Sequence, residues 1–144
     1  MRLSKQVVGM VAVLAVAGAA YANDAYKARH DAMEAVGDGM GTLSAIAKKE
    51  KPFDAAVVKA TATKMAADLK TAAAQFPAGS EGGASRAKAE IWSDAAGFAA
   101  IMKDSATALA ALQEVKDEAA FMTALRAAGG TCKSCHDKYR LPQQ

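Results

Sequence analysis

Cys132-Lys133-Ser134-Cys135-His136 stands eight residues before the end of the chain and decides how the rest is read. Two cysteines two residues apart, followed at once by histidine, form the signature by which a haem is attached covalently. Each thiol adds to one haem vinyl group to form a thioether, and the adjacent imidazole is placed to ligate the iron. On a helix, at about 100° per residue, Cys132 and His136 point about 40° apart and Cys135 about 60° from Cys132. All three therefore face one flat ligand. These are the only two cysteines in the chain.

Other uses of the pair fit less well. A redox Cys-x-x-Cys belongs beside a βαβ pattern, and no strand pattern is present. A structural zinc site needs four ligands, and the other histidine, His30, is about a hundred residues away. A plain disulfide leaves His136 without a purpose.

The chain opens as a secretory leader. Arg2 and Lys5 form a basic start, residues 7–17 are apolar without charge, and Ala20-Tyr21-Ala22 supplies a small-x-small cleavage pattern. The apolar run is shorter than the roughly 20 residues of a membrane span. Residues 1–22 are expected to be a cleaved signal peptide and 23–144 one domain, with no membrane anchor once the leader is gone. Export leads to a compartment that favours disulfides, the periplasm for a leader of this bacterial style. One closely spaced cysteine pair is poor use of such a compartment for bridging and good use for haem attachment.

The formal charge of +3 owes most of its excess to the leader: without Arg2 and Lys5, 16 basic residues face 15 acidic ones. That balance gives no support to nucleic acid or a polybasic membrane patch as a partner.

After Asn23 helical periodicity dominates. Tyr26, Arg29, Met33, Val36, Met40, Leu43 and Ala47 form one stripe over a first helix at about residues 24–49, weakened by Gly37, Gly39 and Gly41. Asp54 reads as the cap of a second helix, with Val57, Val58, Thr61, Met65, Leu69, Ala72, Ala73 and Phe76 on its apolar face. Pro77 stops it. Residues 77–88 are a long break. A third helix starting near Glu90 carries Ile91, Ala95, Phe98, Met102, Ser105, Leu109 and Leu112. Asp117 caps a fourth, in which Phe121, Leu125, Ala128, Cys132, Cys135 and Tyr139 form a continuous stripe. The cysteines thus occupy core positions, where a cofactor inserted between helices must be attached. Four helices with short links predict an all-α, antiparallel up-down-up-down four-helix bundle with covalently bound haem.

With these elements in place the chain resembles the class II c-type cytochromes, which comprise cytochrome c′ and the cytochrome c-556 type. The resemblance rests on the late motif with its continuation Asp137-Lys138-Tyr139-Arg140, and on Glu90-Ile91-Trp92-Ser93-Asp94 at the start of the third helix. Residues 40–54, ending Ala-Ile-Ala-Lys-Lys-Glu-Lys-Pro-Phe-Asp, look most like the c-556 branch. The resemblance implies one haem c, with His136 as proximal iron ligand and the first helix as distal wall. In cytochrome c′ the distal residue is usually apolar and the iron five-coordinate; the c-556 branch places methionine there. The matching residue, four after Arg29, is Met33, which the resemblance makes the sixth ligand; Met40 and His30 are its rivals. Arg29 and Arg140 become candidate propionate or proximal contacts, and Trp92 and Tyr139 core aromatics.

The expected function is a soluble periplasmic carrier of single electrons with a His/Met-ligated low-spin haem, serving redox partner proteins of a periplasmic chain as monomer or homodimer. The alternative is a five-coordinate haem protein that binds NO or CO. No nucleophile with a positioned base, carboxylate pair or phosphate loop suggests an enzyme. His30 is the one histidine that a peroxidase-like reading could use.

Overall fold

The computed structural model describes residues 6–82 and 84–142, with side chains from Ala20 onward. The basic start of the leader, Arg2 and Lys5, lies outside the described residues. Five helices follow one another: α1 (Gln6–Ala47), α2 (Ala55–Ala73), α3 (Glu90–Ser93), α4 (Ala95–Gln113) and α5 (Glu118–Tyr139). The single turn of α3 and the long α4 are two pieces of the third bundle helix, so the architecture is the four-helix bundle expected from the stripes.

Helix α1 begins earlier than the periodicity indicated and runs unbroken through Ala20-Tyr21-Ala22. The alanine-rich leader is itself a good helix former, so nothing in the local chemistry interrupts the helix at residue 23. Gly39 marks where α1 approaches α2 most closely: a Cβ there would lie 2.7 Å from the Met65 sulfur. Gly37 and Gly41 have open space around them. The α1–α2 turn closes on Lys49, whose φ of 64° gives the left-handed residue that ends many helices.

Asp54 and Asp117 cap as expected. The Asp54 carboxylate accepts from the amides of Ala56 and Val57 at 2.7 and 3.3 Å, and Asp117 from Ala120 at 2.8 Å. Each satisfies amides that the first helical turn leaves without a partner.

The third helix departs from the expected continuous stripe. Asp94 leaves helical geometry at φ −118° and ψ 50°, and its carboxylate accepts from the Gly97 amide at 3.2 Å to start α4 afresh. Ala95, expected on the buried face, is exposed beside the interruption, while Ile91, Met102, Ser105, Leu109 and Leu112 of the same stripe are buried. Val57 is likewise exposed while its neighbour Val58 is fully buried.

Leu43, Val58, Met65, Leu112 and Phe121 are all completely buried and form the centre of the core. Helix α1 packs along α2, α2 along α4 and α4 along α5, whereas α1 and α5 do not close on each other in the same way. A short antiparallel bridge between Ala87 and Arg140 ties the α2–α3 connection to the end of α5. In it Lys88 N donates to Tyr139 O at 2.9 Å and Leu141 N to Arg86 O at 2.7 Å.

Candidate haem-binding site

A cavity of about 380 Å³ lies between α1, α4, α5 and the α2–α3 connection. Its α5 wall is the motif itself. Cys132, Cys135 and His136 all line the cavity, on the helix face that their spacing predicts, with Tyr139 and Arg140 one turn further on. Cys135 is 9% exposed and Cys132 partly buried. Burial pushes both thiols up from their ordinary pKa, so inside the folded cavity they are protonated and weak nucleophiles. Burial is also the main reason why His136 titrates lower than usual, with Arg140 and Arg86 adding to it. The imidazole is therefore neutral, the form that binds a metal.

The opposite wall comes from α1. Met33, Val36 and Met40 line it, together with Tyr26, Arg29 and His30 from earlier turns of the same helix. Met33 is half-buried and packs against the core cluster. His30 stacks on Tyr26 with ring centroids 5.7 Å apart, and its Nε2 lies 3.5 Å from a Glu34 carboxylate oxygen. Phe98, Met102 and Ser105 complete the floor. Ser105, almost fully buried, donates its hydroxyl to Ile101 O at 2.9 Å and so brings no unpaired polar group.

Arg29 is 5% exposed and commits its guanidinium to the α2–α3 connection. It donates to Gln75 O at 3.1 Å, to Ser80 Oγ and O at 3.3 and 3.0 Å, and to Ser85 Oγ at 2.9 Å. Its Cζ also lies 5.1 Å from the Phe76 ring centroid and 5.6 Å from that of Tyr26. The side chain expected to reach for the cofactor is thus a staple that holds a loop over the cavity. Trp92 acts on the same segment, donating its indole N–H to Phe76 O and Pro77 O at 3.1 Å each. Tyr139 packs edge-on against Phe98 at 5.3 Å and donates its hydroxyl to Asp94 at 2.8 Å.

The donor set fits a haem. The cavity falls within the roughly 300–1,000 Å³ of small-molecule sites and is mostly apolar, and it places two thiols and a neutral imidazole on one wall. Arg86 was missed by the sequence reading; it lies in an irregular loop, where no periodicity marks the residues that face inward.

Fold and site together define a four-helix bundle whose last helix turns two cysteines and a histidine into one cavity. The sequence pattern described as cytochrome C′ matches residues 24–140, and the chain belongs to that family, whose haem is of the covalent c type. A cytochrome c-556 of Agrobacterium fabrum is 42% identical, over 87% of this chain and 86% of its own length. A cytochrome c′ of Pararhodospirillum photometricum is also 42% identical, over 78% and 92%. Among solved structures, the nitric oxide complex of a leucine-to-alanine mutant of cytochrome c′ from Alcaligenes xylosoxidans superposes with a TM-score of 0.79. It is 31% identical and covers 85% of this chain and 97% of its own.

These findings correct the expected function. The family matched along the chain is that of cytochrome c′, cytochromes c′ recur among the relatives, and a structural neighbour holds nitric oxide. They favour the gas-binding alternative over a low-spin electron carrier ligated by His136 and Met33. The expectation had rested on one methionine at one spacing, and a thioether on an apolar stripe also serves to fill space.

Proposed function

We propose that this protein binds NO or CO at a five-coordinate haem held by Cys132, Cys135 and His136, with the α1 side of the cavity left for the gas. Membership of a cytochrome family bounds the role to electron transfer or gas binding, and the nitric oxide complex of a neighbour carries the choice between them. The haem that Cys132, Cys135 and His136 would hold would supply the iron that binds a neutral diatomic molecule. The chain supplies the rest. Met33, Val36, Met40 and Leu69 line the cavity with side chains that offer no strong hydrogen-bond donor. Such a wall disfavours water and anions, which lose hydration on entry, and admits small neutral gases. His136, kept neutral, would hold the iron, and Met33 serves as a packing element of the wall.

The role is non-enzymatic and the site of action the periplasm, reached after removal of residues 1–22. Support comes from the leader pattern and from the bacterial sources of the relatives.

Spectra of the purified holoprotein, followed by CO titration of the anaerobically reduced form, test this reading. The expected result is a high-spin five-coordinate spectrum at rest that converts fully to a CO adduct. A low-spin resting spectrum with no response to CO overturns it.

A further inference from the structure

His136 stands in a weak place for a residue that has to hold a metal. Helix α5 ends at Tyr139, so residues 136–139 are its last turn. The carbonyls of a last turn have no partner further along the helix, and this is the part that frays most readily. An imidazole carried on a fraying turn has no fixed depth in the cavity.

The fold answers with donors and an acceptor from outside the turn. The amide of Arg140, the capping residue, donates to His136 O at 3.0 Å. Lys88 alone supplies two more bonds: its backbone amide donates to Tyr139 O at 2.9 Å and its ammonium to Asp137 O at 3.2 Å. Three of the four carbonyls of the last turn are thereby satisfied. The side chains are held as well. Asp94 Oδ2 accepts from the Lys138 ammonium at 2.7 Å and from the Tyr139 hydroxyl at 2.8 Å, while Oδ1 accepts from the Gly97 amide at 3.2 Å. Gly97 leaves room for this arrangement, since a Cβ there would lie 2.7 Å from the Tyr139 hydroxyl oxygen. Residues 137, 138 and 139 are thus each gripped by Lys88 or Asp94, neither of which lines the cavity. Groups that fix the orientation of a metal ligand tune the metal it binds.

We propose that Lys88 and Asp94 are positioning residues for His136: they lock the last turn of α5 and so fix the depth and tilt at which the imidazole meets the haem iron. They act through residues 137–139, from the α2–α3 connection and from the start of α4. This inference rests on His136 holding a haem and not on the gas-binding reading.

The test uses the holoprotein with Lys88→Met, Asp94→Asn and the two combined. Lys88→Met removes the ammonium and keeps the backbone amide. Asp94→Asn keeps a side chain that caps α4 and takes away the charge that Lys138 binds. Lys88→Arg restores a cationic donor, and Lys103→Met removes an exposed α4 lysine that does not line the cavity. Ferric electron paramagnetic resonance is read on each, because its g values report the axial field at iron in high-spin and low-spin haem alike. A loss of helix stability alone leaves them in place. Amide exchange is read alongside. Each single variant is expected to shift and broaden the g values and to speed exchange of the amides of residues 136–140 by roughly tenfold, the worth of one hydrogen bond, with the middle of α5 unchanged. The combined variant should shift further, Lys88→Arg should return toward wild type, and Lys103→Met should match it. Unmoved g values in both single variants overturn the proposal. So does a last turn that exchanges much faster than the middle of α5 in the wild type, a result that needs no variant. A low-spin resting spectrum whose g values still respond to Lys88 and Asp94 sinks the gas reading alone; a full CO adduct with g values indifferent to both sinks this one alone.

Discussion

At the scale of single residues, Asp94 connects more of the molecule than its half-buried position suggests. Its carboxylate receives the Gly97 amide at 3.2 Å, the Lys138 ammonium at 2.7 Å and the Tyr139 hydroxyl at 2.8 Å, joining the start of α4 to the end of the haem-bearing helix. The Lys138 and Tyr139 bonds hold the Asp94 pKa below its ordinary 3.8. A carboxylate with a depressed folded pKa contributes stability that is present above the unfolded value and lost as pH falls through the folded one. Urea midpoints of the wild type should therefore fall as pH drops below about 4, and Asp94→Ala should lower the midpoint at neutral pH and flatten that acid limb. An unchanged acid limb in the variant would show that Asp94 is not its source. The cysteines make a second residue-scale prediction. With Cys132→Ser or Cys135→Ser one thioether remains and haem stays with the chain through acid–acetone extraction; with both replaced, the haem is extracted.

Helices show how far periodicity carries and where it stops. Val36, Leu43, Met65, Leu69, Met102, Leu109, Leu112 and Phe121 were all legible as core from their spacing, and all are buried. The break at Asp94 was not, because a stripe stepping by three and four residues looks the same whether or not one turn is interrupted by a side chain bonding to backbone. The glycines of α1 divide in the same way. Composition marks all three as weak points, yet only Gly39 has a neighbour where its Cβ would go. Gly39→Ala should destabilise by about 1–3 kcal/mol, since overpacking against fully buried Met65 outweighs the gain in helix propensity. Gly41→Ala, with nothing within 4 Å, should stabilise by up to about 1 kcal/mol. Chemical denaturation of the two variants checks the pair.

Over the whole molecule, the motif and its late position were enough to indicate the bundle and the covalent haem. The function was less legible, because it turned on whether one methionine binds or merely packs, and spacing is identical in both cases. The bonds of Arg29 were illegible for a similar reason: what an arginine does depends on which backbone carbonyls a loop presents to it, and loop paths are not periodic. The leader makes a prediction at this scale, that exported protein begins at Asn23 by mass spectrometry. One more consequence follows from the bridge between Ala87 and Arg140. It acts as a clasp, closing the stretch from residue 87 to residue 140 on itself, so that α3, α4 and α5 make one loop fastened at its own ends while α1 and α2 lie against it as a separate hairpin. A chain tied in this way has two natural units of opening. Amides of α3 to α5 should exchange with solvent as one group, and the α1–α2 hairpin can peel away without undoing the clasp.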